Sequence, residues 1–300
     1  MKQRFLPAVL LVPAAALVFS FQSCSNDDSD KTPVDSLADS TAQHANDTVP
    51  KELPAGVPSP SEMFAFIKTA NSANADINLL NPADNLDKYN SKKAQSLNLG
   101  IYSADLLYCS TFGGKGKVSP YFITCAKIGT KLNVATKMSE ADRDRINKNL
   151  ENADSLVAIS SDLYLNAFDD LNNSERGADL SLMLAGGWVE SVYLMSNMVK
   201  DFDKDKTTVE RIADQKLSLG NLIEFMSQYN SNEDVKGVTA QLSDLKKLFD
   251  EIQTTSGSGM TMKNGKRVIG GGSKTTITKE QFEKIKAKIA EIRNSFVTAQ

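Results

Sequence analysis

Between residues 61 and 300 the chain carries only two prolines, Pro82 and Pro120, and none in its last 180 residues. Proline removes a backbone donor and breaks helix interiors, so its exclusion from so long a stretch selects for helices. Helix-start signals agree: Ser59-Pro60-Ser61-Glu62 is a capping box with proline at the first helical position, and Asn81-Pro82-Ala83-Asp84 and Ser119-Pro120 repeat the cap-then-proline order. Further starts read at Ser139-Glu140, Ser174-Glu175, Thr207-Thr208-Val209-Glu210, Asn232-Glu233 and Thr278-Lys279-Glu280-Gln281. The expected architecture is therefore all-α, a bundle of antiparallel helical hairpins with about eight helices.

Apolar spacing sorts these helices. Val235, Val238, Leu242, Leu245, Phe249 and Ile252 form one narrow stripe, as do Phe282, Ile285, Ile289, Ile292 and Phe296, so both helices pack as outer members. The helix expected from about 176 to 199 is apolar almost all round between Leu182 and Val199 and is placed at the centre. Gly186-Gly187 within it is tolerable where a neighbour crosses closely. Asn264-Gly265, flanked by Met260 to Lys263 and Lys266 to Ile269, is a two-residue hairpin signal and predicts a small β-hairpin insertion near 260–270.

The N-terminus is organised differently. Lys2 and Arg4 precede an apolar run from Phe5 to Phe21 interrupted by Pro7 and Pro13, the pattern of a secretory signal peptide over residues 1–23. Phe21-Gln22-Ser23-Cys24 is similar to a lipobox, which makes Cys24 the expected lipidation site, carrying palmitate-type acyl chains as the mature N-terminus. Residues 24–60 hold seven acids, two bases, five of the nine prolines and no Phe, Trp or Tyr, so they read as a disordered tether reaching roughly 35 Å, with the helical domain at 61–300. Asp35-Ser36-Leu37, Asp39-Ser40-Thr41 and Asp47-Thr48-Val49 resemble the Asp-Ser/Thr-apolar acceptor triplet of bacterial O-glycosylation, which marks Ser36, Ser40 and Thr48. The acidic run after Cys24 is similar to the tag that sends such lipoproteins to the outer face of a Gram-negative outer membrane; a periplasm-facing placement is the other reading.

Charge and histidine content narrow the chemistry. Residues 61–300 balance 30 bases with 30 acids, which gives no electrostatic footprint for nucleic acid. His44, the single histidine, falls in the tether, so the domain has none for a Ser-His-Asp or Cys-His constellation or for a zinc site. Asp201-Phe202-Asp203-Lys204-Asp205 imitates the start of an EF-hand loop, yet Lys206 stands at the sixth position and Ile212 at the twelfth, so it reads as an acidic turn that caps the helix that follows, with no metal. Gly113-Gly114-Lys115-Gly116-Lys117 lacks phosphate-loop spacing and reads as the turn of a helical hairpin. Cys109 and Cys125, seven residues before and nine after a pivot at Gly116, lie on its two arms and fit either a disulfide or two buried thiols. No cofactor is expected.

Two segments carry a resemblance. Leu97 to Leu106 (LNLGIYSADL) and Ala185 to Tyr193 (AGGWVESVY) are similar to segments that recur in uncharacterised all-helical cell-envelope lipoproteins of Bacteroidota-type bacteria. The resemblance spans about residues 91–200 and implies fold and location, with no activity to transfer.

One constellation remains. Asp105 is the sole charge between Ala94 and Phe112, and Glu190 the sole charge between Leu182 and Val199. Embedded carboxylates need partners, and Arg176, Arg143 or Arg145 are the expected ones. With Tyr102, Tyr108, Trp188 and Tyr193 within a turn, the acids suit either a small enclosed ligand site or a satisfied core network. The expected function is that of a non-enzymatic envelope lipoprotein, membrane-anchored, whose helical module binds a protein, peptide or glycan partner. Two alternatives are a hydrolase or lyase of envelope glycans or peptides working through paired carboxylates, and an uptake accessory for a small ligand or metal, supported only by the acidic turn.

Overall fold

Helices dominate the computed structural model, which describes residues 56–113, 115–134, 140–255, 260–263, 266–269 and 274–298. The expected signal peptide, the expected lipidation site Cys24, the three candidate glycosylation triplets and the Asn264-Gly265 turn signal lie outside the described residues. Among those described there are ten α-helices: α1 (Pro60–Asn71), α2 (Lys92–Phe112), α3 (Lys115–Lys131), α4 (Glu140–Asn149), α5 (Ala153–Asn173), α6 (Gly177–Met198), α7 (Lys206–Ala213), α8 (Gln215–Ser227), α9 (Glu233–Asp250) and α10 (Lys279–Val297). Four short strands, β1 (Gln253–Thr255), β2 (Met260–Lys263), β3 (Lys266–Ile269) and β4 (Lys274–Thr276), stand between α9 and α10.

Six of the eight expected starts open α-helices. The capping box at Ser59 forms, with its amide on Glu62 Oε2 at 2.7 Å and the Glu62 amide on its hydroxyl at 3.3 Å. Thr278 and Gln281 form a second, reciprocal box at α10, and Asn232 caps α9. Asn81-Pro82 opens only a 3-10 helix, Ala83–Lys88, because Asn81 turns inward instead of capping. Ser119-Pro120 starts nothing; Pro120 lies inside α3, where it forfeits one bond toward the preceding turn. The starts that escaped notice are those of α2, α3, α5 and α8. Ser91 caps α2 without a following proline or acid, Asn152 caps α5, α3 follows directly on the Gly113 turn, and α8 follows α7 across Asp214 without a side-chain cap.

Helices α2 and α6 form the central pair. Every residue from Ala94 to Thr111 is buried, and so is nearly every residue of α6. The pair meets backbone to backbone: a methyl added to Gly100 would collide with Met183 O and sit 2.6 Å from Gly187 N, and one added to Gly186 would collide with Leu97 O. The expected close crossing at Gly186-Gly187 is thus found, with Gly100 as its counterpart. Around the pair, α3 and α5 pack on α2, α10 lies against α6 and α9, and α9 pairs with α8. The stripes of α9 and α10 are buried from Val235 to Ile252 and from Phe282 to Phe296. Strands β2 and β3 pair antiparallel with Lys263 opposite Lys266, as the Asn-Gly spacing predicts. The β1–β4 pair at the base of that insertion was not expected.

Chain entry differs slightly from the sequence reading. Val57, Ser59 and Pro60 are already buried, so the folded domain begins about four residues before the boundary at 61.

Candidate functional site

Asp105 on α2 and Glu190 on α6 meet at the centre of the fold, and neither has any solvent exposure. Their cation comes from α10. Arg293 Nε donates to Glu190 Oε2 at 2.9 Å and its Nη2 to Oε1 at 3.1 Å, a two-pronged pairing in which the guanidinium also donates to Leu79 O at 3.2 Å and lies 4.8 Å from the Tyr193 ring centre. Arg176 is occupied elsewhere, with Asp179 at 2.6 and 2.8 Å and Leu132 O at 2.7 Å, and Arg145 pairs with Asp162 across the α4–α5 surface. The expected partners were therefore wrong. Arg143 and Arg145 lie on α4, which packs on α5, and Arg176 lies at the opening end of α6, nearly four turns from Glu190. Position 293 carried a signal of its own: four residues after Ile289 and three before Phe296, it sits on the apolar stripe of α10, where an unpartnered arginine would be costly.

Residues between α1 and α2 complete the network. Asn81 donates its amide N–H to Asp105 Oδ2 at 3.2 Å, its side-chain nitrogen donates to Tyr89 Oη at 3.0 Å and to Asn98 Oδ1 at 3.2 Å, and its carbonyl accepts from Tyr121 Oη at 2.8 Å. Asn98 in turn donates to Ala94 O and to Phe296 O, both at 2.9 Å, which ties α10 to α2. Tyr102 donates to Pro82 O at 3.0 Å. Asn81 was read only as a helix cap beside a proline, and Tyr89, Asn98 and Tyr121 were not singled out in the sequence, since lone tyrosines read as filler. Only the fold reveals them as one cluster.

Of the six candidate ligand residues, the structure brings together Asp105, Glu190, Tyr102 and Tyr193. Trp188 points the other way, its indole N–H donating to Ser218 Oγ at 3.0 Å and its ring lying 6.4 Å from that of Phe249. Tyr108 accepts the Asp76 amide at 3.0 Å and packs on Phe64 and Phe112. Successive residues turn 100° about a helix, so Trp188, two before Glu190, faces away from it, whereas Tyr108, three after Asp105, shares its side of α2 but has its hydroxyl taken by the Asp76 amide. Burial, then the Glu190 charge, raise the Asp105 carboxyl well above the ordinary carboxylate range, with Arg293 pulling the other way.

Cys109 and Cys125 are free thiols, both buried. The hairpin reading placed its pivot at Gly116, whereas Gly113 adopts φ 86° and α3 begins at Lys115, so the register of the arms is set about two residues earlier. That register sets Cys125 opposite Ser103, to which it is hydrogen-bonded, and leaves Cys109 about six residues, or roughly 9 Å, further along α2. Burial raises both thiols, Cys125 to about 12, so neither ionises near neutrality. Between α2, α3 and α5, Cys125, Ser103 and Ser160 border a cavity of about 10 Å³, room for one water.

The acidic turn after α6 uses its carboxylates on itself. Asp205 accepts the amides of Lys200 and Asp201 at 2.7 and 3.0 Å, and Asp201 those of Asp203 and Lys204 at 3.1 and 3.2 Å. They cap the turn, not the helix that follows. Among the described residues, open clefts face solvent, including one of about 380 Å³ lined by Lys92, Lys131, Asn133, Asp170 and Arg176, and one of about 450 Å³ between Arg145, Asp162, Leu165 and Asp169. Comparison with protein-family models, with curated proteins and with solved structures gives no match to this chain.

Proposed function

We propose that the chain is a cell-envelope lipoprotein, anchored through Cys24 and held off an outer membrane by its acidic tether, whose helical domain binds a protein, peptide or glycan partner without chemical turnover. The observation that carries the anchoring half is the apolar run ending at Ser23-Cys24, followed by a stretch with no aromatic residue before Val57 enters the core. The resemblance of residues 91–200 to envelope lipoproteins supports the same location. Among the described residues no helix is long and apolar enough to cross a membrane, so attachment through those residues would need another device.

Geometry favours binding over carboxylate catalysis. A glycosidase-type pair stands about 5–10 Å apart across an open cleft, whereas Asp105 and Glu190 have no exposure and are held inside the core by Asn81 and Arg293. The open clefts, in contrast, mix lysines, arginines, aspartates and asparagine on a rigid helical scaffold, which suits a polar partner.

Replacing Cys24 with Ser tests the reading. The protein is expected to move from the membrane to the soluble fraction with an unchanged melting temperature, because anchor and core are separate segments. Membrane association that persists in the variant contradicts it.

A further inference from the structure

The acids at the centre of the fold outnumber their cation. Both oxygens of Glu190 are engaged by Arg293, whose Nη2 is shared with Leu79 O. Asp105 receives one donor, the Asn81 amide on Oδ2, while its Oδ1 is buried without a protein donor. Its carboxyl lies close enough to that of Glu190 for the two charges to act on each other. Two ionised carboxylates offer each other only lone pairs, so such an approach is repulsive until a proton lies in it.

We propose that Asp105 and Glu190 form a proton-binding site that stays occupied at neutral pH, with the proton on Asp105 Oδ1 donated to Glu190 and Glu190 remaining the carboxylate paired with Arg293. The proton supplies the donor that Oδ1 lacks and makes the three-residue unit electrically neutral. Surrounding groups add no charge that would change this balance. Tyr89 and Tyr102 beside or on α2, Tyr121 on α3 and Tyr193 on α6 are phenols that burial raises further, so they stay neutral. The Cys109 and Cys125 thiols facing Asp105 stay neutral for the same reason. Arg293 is therefore the cation of the cluster, and it is already matched by Glu190. The proposal is independent of the envelope reading: it concerns the core alone.

The consequence has a definite sign. A carboxyl protonated in the folded state and ionised in the unfolded state releases a proton on unfolding. Its stabilising contribution is complete below the unfolded carboxyl pKa of about 3.9 and is lost as pH rises toward the raised folded value. Asp105→Asn is a permanent copy of the protonated acid: its amide nitrogen can donate to Glu190 while its oxygen accepts from Asn81.

The test compares the unfolding equilibrium of the full-length Cys24→Ser protein with and without Asp105→Asn, by urea titration from pH 5 to 8. The ratio of unfolding constants, parent over Asp105→Asn, is expected to rise about tenfold per pH unit, one proton's worth, until the folded carboxyl ionises. A ratio that does not change with pH overturns the proposal. Should the Asp105→Asn chain fail to fold, the parent protein decides alone. Labelling aspartate with carbon-13 should shift a protonated-carboxyl infrared band present at pH 7, and the absence of any such aspartate band refutes the assignment.

Discussion

Adding one methyl group to the chain should have opposite effects at two helical glycines. Gly186 sits where α6 crosses α2, and an alanine there would drive its Cβ into Leu97 O, with Leu97 C at 2.9 Å. A backbone carbonyl cannot rotate aside as a side chain can, so the two helices must separate by about 1 Å or more to restore contact distance. Overpacking of a tight core costs about 1–3 kcal/mol, and a backbone obstacle belongs at the upper end. Against this stands the gain of about 1 kcal/mol in helix propensity, for a net loss of about 2 kcal/mol. Gly237 on α9 is exposed and has nothing within 4 Å of such a methyl, so Gly237→Ala should keep the whole gain of about 1 kcal/mol. Calorimetry or thermal circular dichroism should then show Gly237→Ala melting about 2–4 °C above the parent and Gly186→Ala about 4–8 °C below it. Equal stabilisation by both substitutions would refute the close crossing of α2 and α6.

Two further outcomes follow from the core and from one cap. In the Cys24→Ser protein, Cys109 and Cys125 should resist a thiol reagent at pH 8 and react fully once denaturant is added, because burial keeps both protonated and covered; fast labelling of the native protein would contradict this. Thr278→Ala should lower stability by about 1 kcal/mol in urea titrations, since it deletes the hydroxyl that accepts the Gln281 amide at 3.2 Å. A change within error would show that the box does not hold the start of α10.

The helical class was legible because proline exclusion and 3.6-residue periodicity are local properties, and the narrow stripes of α9 and α10 and the all-round apolarity of α6 translated directly into position. Starts with an acid behind the cap were legible at α1, α4, α9 and α10, whereas Asn81-Pro82 and Ser119-Pro120 carried the cap signal without opening an α-helix and Ser91-Lys92-Lys93 lacked the charge pattern that marks a first turn. The two acids could be found as isolated charges in apolar helices. Their partners could not, because Leu79, Asn81 and Arg293 are set by topology: Asn81 reaches Asp105 from 24 positions away, and Arg293 reaches Glu190 and Leu79 from 103 and 214 positions away. The disulfide reading failed on a two-residue misplacement of the hairpin pivot, enough to move a thiol along α2 by more than a turn.

Glu190 and Arg293 carry the main claim, that the central acids hold the fold together and do not await a ligand. A double-mutant cycle with Glu190→Gln, Arg293→Met and the pair together, followed by urea unfolding at pH 7, measures it directly. Each single change strands a buried partner and should cost about 3–5 kcal/mol, while the double change removes both charges and should cost little more than either alone, a coupling of about 2 kcal/mol or more. Singles that are mild and simply add would contradict the claim.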